Sequence, residues 1–235
     1  MNILYENKNV LVCVKPVGLL SEGGDGESVV SLVSEYLSSK GKDYASPLHR
    51  LDRNVGGVMA FAADKKAAGQ LSAALADKEQ CIKEYLAVVS GVPEKAEGIF
   101  EDFLFKDSAA GKVFVVKSER RGARRASLSY RVLGNAEGKK GMLSLVLIRL
   151  QTGRTHQIRV QFSSRGMPVV GDGKYGSREK CSGGIALFSH RLALNLPGIA
   201  SFDVSALPDG SSYPFSLFDL PQGESKCGKT PSNAS

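Results

Sequence analysis

His49-Arg50-Leu51-Asp52 is the stretch that decides the interpretation of this chain, together with Arg154-Thr155-His156-Gln157-Ile158-Arg159-Val160 further along. Both stretches place ionisable side chains directly beside apolar ones: Leu51 lies between a cation and a carboxylate, and Ile158 and Val160 flank Arg159. A surface loop has no need of this mixture, whereas a half-buried cleft that holds a carboxylate against a guanidinium does. The two stretches therefore predict a functional cleft.

Length and composition limit the class of protein. The chain has 235 residues, enough for one large domain or two small ones, and its hydrophobic content of 42% and charged content of 23% are ordinary for a globular protein. A net charge of +7 favours an anionic partner, and nucleic acid is one possibility. No leader sequence and no membrane-spanning run is evident, so we expect a soluble, cytoplasmic protein and, by default, a monomer. Four scattered cysteines without a CxxC pattern predict neither a zinc site nor a disulfide framework: Cys13, Cys81, Cys181 and Cys227.

Hydrophobic periodicity predicts an α+β fold with a mixed, largely antiparallel sheet flanked by helices. Helices are predicted at 29–41, at 64–78 with Asp64 as the N-cap, and at 155–165 with Gly166 as the stop. Strands are predicted at 9–14, 57–63, 85–89, 99–105, 112–117, 126–133, 142–150 and 187–196. We expect a single domain over 1–221 and a disordered tail over 222–235, which is polar and free of aromatic residues.

The tail contains a pattern of the phosphate-loop type, Gly223-x4-Gly228-Lys229-Thr230. Such a loop needs a helix after it, whose N-terminal amides cradle phosphate. Only five residues follow, so no helix can form, and we expect no nucleotide cofactor.

The residues of the two stretches allow more than one interpretation. Asp52 could cap a turn or pair with a neighbouring arginine, and Arg154 and Arg159 could be surface charges of a helix. However, His156 and Arg159 are three residues apart and share a helix face at the N-terminus, where backbone amides favour anions. Such a face suits a cleft that holds a carboxylate or a phosphate.

Residues 106–125 form a basic segment, with seven Lys or Arg residues against two acids. Four of these arginines surround a glycine at a predicted strand junction: Arg120, Arg121, Arg124 and Arg125. A solvated hairpin would explain them, but contact with a phosphate backbone explains them better, because solubility does not require such a cluster.

Three ordered motifs resemble those of the RluA-type RNA pseudouridine synthases. HRLD, followed by a small-residue turn and an apolar strand, is similar to residues 49–62. The motif K-x-Y-x-A-V-V-x-G matches residues 83–91. The pair G-R-T-H-Q-I-R-V and G-x-P-I-x-G-D-x-x-Y-G resembles 153–160 and 166–176. The resemblance covers residues 3–220, and three correctly spaced motifs are far more specific than HRLD alone.

This resemblance implies the pseudouridine synthase catalytic fold with a central RNA-binding cleft, and it implies roles for individual residues. Asp52 would be the nucleophile, Arg159 its partner, and Tyr85 the ring that stacks on the target uracil. Arg50 would fill the space left by a flipped uridine. The expected partner is structured rRNA or tRNA, and the reaction would need no metal or cofactor. RNA contacts are expected from Arg50, His49, Arg154, His156, Arg120, Arg121, Arg124 and Arg125.

The chemistry of these residue types agrees with that implication. A uridine must leave its stack before its glycosidic bond can be reached, and arginine and tyrosine suit an extruded base. A carboxylate is a competent nucleophile at a sugar carbon, and a nearby guanidinium favours its ionised form. Whether the aspartate attacks ribose C1′ or the uracil ring is open at this stage.

The chain departs from the family pattern at two places. After HRLD the family usually has x-x-Thr-Ser-Gly, where this chain has Arg53-Asn54-Val55-Gly56-Gly57, and Gln161 stands where a histidine is frequent. The extra N-terminal RNA-binding domain of many relatives is also not expected. An alternative is therefore a catalytically inactive RNA-binding or RNA-folding protein of the same fold. A glycosidase-like hydrolase is a third possibility, but the sequence offers no evident second carboxylic acid beside Asp52.

Overall fold

Residues 1–23 and 27–221 are described by the structure, a computed structural model. Within these ranges the chain forms three α-helices, α1 (Val29–Ser38), α2 (Lys65–Ala76) and α3 (Gln157–Ser163). The strands are β1 (Asn2–Glu6), β2 (Val10–Lys15), β3 (Ser46–Pro47), β4 (Gly56–Ala62), β5 (Cys81–Ser90), β6 (Glu97–Asp107), β7 (Lys112–Val116), β8 (Ala123–Gly138), β9 (Gly141–Leu150), β10 (Leu187–Leu196) and β11 (Ala200–Ser205). The predicted tail at 222–235, with its phosphate-loop pattern and Cys227, lies outside the described residues.

Local side-chain chemistry explains where the first two helices begin. Ser28 and Ser31 form a reciprocal capping box at the start of α1, and Asp64 accepts a hydrogen bond from the amide of Ala67 at the start of α2. The helix ends are less regular than the sequence predicts. The α1 helix ends at Ser38, three residues before the left-handed Gly41, and α2 ends at Ala76 because Asp77 is extended.

The strands form one sheet in the order β1-β2-β4-β10-β5-β9-β8-β6-β7, with β3 paired to β4 and β11 paired to β10. Among the pairings of the described strands, only that of β4 with β10 is parallel. This arrangement confirms the predicted α+β class with a mixed, largely antiparallel sheet.

The strand β4 shows how one sheet supports two hydrophobic layers. Successive side chains of a strand point to opposite faces. Met59 and Phe61 therefore pack in the cluster that includes α1 and α3, while Val58 and Ala60 pack in the cluster that includes α2. All seven residues of β4 are buried, and the loop that precedes this strand carries Asp52.

The sequence did not predict β1, the two-residue β3 or β11, and it placed α3 two residues too early. The prediction began this helix at 155, but His156 adopts a left-handed backbone, with φ 51° and ψ 22°, and α3 begins at Gln157. An L-residue rarely takes this conformation, and a pattern of apolar positions does not reveal it. With this left-handed backbone, the His156 imidazole lies at the N-terminus of α3 and faces Asp52.

Candidate active site

Asp52 lies in the turn between the HRL segment and β4, with a side chain that is 31% exposed. Ser21 fixes the preceding residue, because its hydroxyl donates to the Leu51 carbonyl at 2.8 Å and accepts from the Leu51 amide at 3.0 Å. The amide of Val55 closes the turn on the Asp52 carbonyl at 3.0 Å. The backbone around the carboxylate is therefore held on both sides.

Lys15 stabilises the same turn through its ammonium group. The sequence did not predict this role for Lys15. Its ammonium group is fully buried and donates to the carbonyls of Pro16, Arg53 and Val55 at 2.9, 3.2 and 2.8 Å. Burial lowers the pKa of Lys15 to about 8, although the charge of Asp52 opposes the shift. This brace uses backbone carbonyls, so it does not depend on the two hydroxyl side chains that the family usually has after HRLD.

Arg159 connects two carboxylates. Its Nη1 donates to Asp52 Oδ2 at 2.6 Å, while Nε and Nη2 donate to the two oxygens of Asp172 at 2.6 and 2.9 Å. Burial alone would lower the pKa of Arg159, but the hydrogen bonds and charges of Asp172 and Asp52 outweigh it and raise that pKa above its ordinary value. The structure thus brings Asp52 and Arg159 together, as the sequence predicts, and adds Asp172.

Asp172 reaches this position because residues 168–172 run beside β5. The amide of Val170 donates to the Val88 carbonyl at 2.9 Å, and Asp172 follows two residues later with only 1% of its surface exposed. Asp172 lies in the motif at 166–176, but the sequence alone indicates no role for it. A buried carboxylate in such a motif needs a cationic partner, which is the signal that could have revealed it.

His156 approaches Asp52 from the N-terminus of α3. Its Nε2 lies 3.8 Å from Asp52 Oδ2, and its Nδ1 lies 2.8 Å from the hydroxyl of Tyr175. Burial lowers the pKa of His156; the charge of Asp52 opposes this shift and that of Arg159 adds to it. The imidazole is therefore a neutral neighbour of the carboxylate near pH 7.

Tyr85 lies in β5 and lines the cleft next to Asp52. The side chain is 7% exposed, and burial raises its pKa to about 12, which keeps the phenol protonated. The family resemblance implies an aromatic ring beside the carboxylate, and Tyr85 lies there. Stacking of this ring on a base remains a prediction.

The cleft has a volume of 820 Å³ and extends from Asp52 and His156 to the C-terminal end of α2. Arg50 and Arg154 both line it. Arg50 is exposed and forms an ion pair with Glu22 at 3.2 Å, so its guanidinium lies at the rim of the cleft. Mixed polar and apolar walls suit a ligand that has both polar and apolar surfaces.

His49 also lines the cleft, but its Nε2 is engaged by the protein. That nitrogen accepts a hydrogen bond from the amide of Ala60 in β4 at 3.2 Å. Burial, helped by the charge of Lys83, lowers the pKa of His49 to about 3, so the ring is neutral. His49 therefore ties the HRLD loop to β4, a contact that the prediction of an RNA-binding histidine did not include.

The basic arginines lie at the turn between β7 and β8 and in the first residues of β8. Arg120 stacks over the ring of Phe105 at 4.4 Å, and Arg125 pairs with Glu101 at 2.9 Å, while Arg121 and Arg124 are exposed. Arg154 links this segment to the cleft, because its Nε donates to the Arg125 carbonyl at 3.1 Å. The basic segment thus adjoins the mouth of the site.

Metal ligands and membrane helices are both missing from the described ranges. No group of three or more His, Cys, Asp or Glu residues in these ranges is placed to hold a metal ion. Within the same part of the chain, no helix is both long enough and apolar enough to cross a membrane.

The cleft thus combines a carboxylate, Asp52, with arginines that would attract an anionic ligand. Comparison with known proteins gives the class: residues 9–164 match the family described as RNA pseudouridylate synthase. The chain belongs to this family, whose members are isomerases that act on RNA.

Individual relatives agree with the family match. The chain is 34% identical over 179 residues to an uncharacterized RNA pseudouridine synthase of Zymomonas mobilis, a match that covers 75% of this chain and 79% of the relative. It is 32% identical over 203 residues to ribosomal large subunit pseudouridine synthase D of Borreliella burgdorferi, covering 83% of this chain but only 60% of that longer protein. The solved structure of human RNA pseudouridylate synthase domain containing 4 matches with a TM-score of 0.71 and 26% identity, over 88% of this chain and 89% of that one.

Proposed function

We propose that this protein converts specific uridines in structured rRNA or tRNA into pseudouridine, with Asp52 as the nucleophile. The single observation that carries the proposal is the bond between Asp52, which lines the cleft, and Arg159, which Asp172 holds in place. A carboxylate is a weak nucleophile unless its surroundings orient it. Arg159 orients Asp52 through the 2.6 Å bond from Nη1 to Oδ2.

The reaction begins with a uridine that leaves its stack, at a cost of a few kcal/mol. The base enters the cleft beside Tyr85, and Arg50 at the rim fills the gap in the RNA. The bond between ribose C1′ and uracil N1 breaks, the uracil rotates, and a bond forms between C1′ and C5. The proton of C5 is lost and N1 gains one, so the atoms balance and no oxidant, metal or nucleotide is consumed.

In this series of reaction steps, Asp52 can act as the nucleophile by adding to ribose C1′ or to the uracil ring. Both routes place the base within reach of the same carboxylate, so the proposal names the nucleophile and leaves the point of attack open. We further propose that the enzyme is a cytoplasmic monomer that takes its RNA contacts from Arg154, His156 and the basic segment. The name of the Borreliella relative favours large-subunit rRNA as the first substrate to test.

The test is pseudouridine formation in unmodified rRNA and tRNA transcripts with wild-type protein, Asp52→Ala and Asp52→Asn. We expect product at defined positions with the wild type and none with either variant, because both remove the nucleophile. RNA affinity should stay within a few fold. Digestion of the RNA and chromatography of its nucleosides give the product, and filter binding gives the affinity.

Asp43→Ala is the matched control, because it removes an exposed carboxylate that does not line the cleft. Wild-type turnover by Asp52→Ala would refute the proposal. RNA binding without product from the wild type would support the alternative of an inactive RNA-binding protein, which the intact Asp52–Arg159–Asp172 arrangement argues against.

A further inference from the structure

The hydroxyl of Tyr175 contacts both β7, which lies in the basic segment, and His156, which lines the cleft. Tyr175 ends a short 3-10 helix, Gly173–Tyr175, and is 5% exposed. Its oxygen accepts a hydrogen bond from the amide of Val113 in β7 at 3.0 Å and lies 2.8 Å from Nδ1 of His156. The sequence motif that contains Tyr175 gave it no role, and the proposed reaction does not use it.

The two contacts limit where the hydroxyl hydrogen can point. A tyrosine hydroxyl has one hydrogen to donate and lone pairs to accept. The Val113 amide can only donate, so it occupies a lone pair of the oxygen. His156 Nδ1 lies 2.8 Å from the same oxygen, and its tautomer decides which of the two atoms donates. Donation by the hydroxyl gives the oxygen one partner for its hydrogen and one for a lone pair. In that arrangement Nδ1 is unprotonated, and the hydrogen of a neutral imidazole lies on Nε2.

The position of that hydrogen matters because Nε2 faces Asp52 Oδ2 at 3.8 Å. An N–H directed at a carboxylate is attractive, whereas a lone pair in the same place is repulsive. We propose that Tyr175 is a positioning residue for the reaction: its hydroxyl selects the His156 tautomer whose Nε2–H faces Asp52. This inference rests on the proposed function in so far as Asp52 is the nucleophile.

The surroundings of the tyrosine ring allow a clean substitution. Arg159 lies 5.1 Å from the centre of the Tyr175 ring, and the ammonium group of Lys112 lies 5.3 Å from it. These contacts need the aromatic face and not the hydroxyl. Tyr175→Phe therefore keeps the aromatic face and both cation–π contacts, and it removes the hydroxyl that bonds the Val113 amide and contacts His156.

The first experiment reads the tautomer directly by ¹⁵N NMR of histidine-labelled protein. The chain has three histidines, and the other two each carry a hydrogen on Nδ1. His49 accepts at Nε2, so its hydrogen lies on Nδ1. His190 donates from Nδ1 to the carbonyl of Ala206, 2.7 Å away. We expect one Nε2–H ring in the wild type, assigned by its loss in His156→Gln. A wild-type His156 with its hydrogen on Nδ1 would overturn the proposal.

The second experiment measures single-turnover pseudouridine formation by Tyr175→Phe. We expect the rate to fall about 10- to 100-fold, the range seen when the outer hydrogen-bond partner of a metal-bound imidazole is removed, with RNA affinity within a few fold. The NMR signal of His156 should become a mixture of tautomers. Tyr130→Phe is the control, because the Tyr130 hydroxyl contacts the Lys95 carbonyl at 3.4 Å, away from Asp52, and its rate should not change.

The outcomes separate this proposal from the proposed function. A folded Tyr175→Phe with the wild-type rate would overturn the positioning role, even if the tautomer changed. Absence of product from the wild type would count against the proposed function. The spectra of wild-type protein and Tyr175→Phe would still decide whether this hydroxyl sets the tautomer of His156.

Discussion

At residue scale, the site depends on which carboxylate each nitrogen of the Arg159 guanidinium bonds. Asp172 takes Nε and Nη2 of Arg159, which leaves Nη1 for Asp52. Because the guanidinium is planar and rigid, fixing two of its nitrogens also fixes the third. Asp172, which is itself buried, therefore positions Arg159 and through it Asp52.

We expect Asp172→Asn to lower the free energy of unfolding by about 3–5 kcal/mol, because one partner of a buried ion pair loses its charge. In this variant the new side-chain amide nitrogen would also face an N–H of Arg159, and two donors cannot form a hydrogen bond with each other. Pseudouridine formation should fall at least as steeply as with other changes that disturb positioning, by about 10-fold or more. Urea unfolding and single-turnover kinetics measure the two effects.

Asp203→Asn is a matched control for stability. Asp203 accepts a similar pair of bonds from Arg191, at 2.8 and 2.7 Å, but the two side chains are 39% and 33% exposed. We expect a decrease below about 1 kcal/mol there, since solvent screens the pair. Equal decreases at the two sites would show that burial is not the reason for the stability of the Arg159 pair.

At the scale of elements, the parallel pairing of β4 with β10 positions the loop that carries Asp52. Gly57 pairs with Ser189 at this seam. Its φ of +119° suits glycine, and an added Cβ would lie 2.2 Å from the Ser189 carbonyl oxygen. Only a residue without a side chain allows the two strands to approach this closely.

We expect Gly57→Ala to destabilise the protein by at least about 2 kcal/mol, through backbone strain and the clash with β10. Gly69→Ala is the control in α2, where a Cβ would meet no atom within 4 Å. That change should stabilise the protein by about 0.5–1 kcal/mol, because alanine favours a helix. Urea denaturation gives the free energy of unfolding of both variants. An unchanged free energy of unfolding for Gly57→Ala would contradict the close approach of β4 to β10.

At the scale of the whole molecule, the basic segment lies beside the cleft, and it is the surface that we propose for the RNA backbone. Arg121 and Arg124 are exposed there, and Arg154 connects the segment to the site. Each phosphate that an arginine binds releases counterions from the RNA, so binding weakens with salt in proportion to the number of phosphates bound.

We expect Arg121→Gln with Arg124→Gln to reduce the log–log salt slope of RNA binding by about 0.7–0.9 for each phosphate that the variant no longer neutralises. Lys65→Gln with Lys66→Gln is the control of equal charge, at the exposed start of α2 and outside the cleft lining. Fluorescence anisotropy at several salt concentrations gives both slopes. Identical slopes for the two double variants would show that the arginines face away from RNA.

Sequence and structure contributed differently at each scale. The alternation of apolar residues predicted the helices and the main strands, because burial of one face leaves a period in the sequence. The short edge strands β1 and β11 and the start of α3 were not predicted. Their positions depend on strand pairing and on one left-handed residue, His156, rather than on local pattern.

The sequence by itself determined the fold class, the family resemblance and the identities of Asp52, Arg159 and Tyr85 as candidates, because these depend on residue type and spacing. Only the tertiary structure decided that Arg159 is shared with Asp172, that Lys15 braces the Asp52 turn, and that Tyr175 meets His156. The physical reason is that hydrogen-bond geometry acts over a few ångströms between residues distant in the chain. Such contacts exist only once the sheet has brought their strands and loops together.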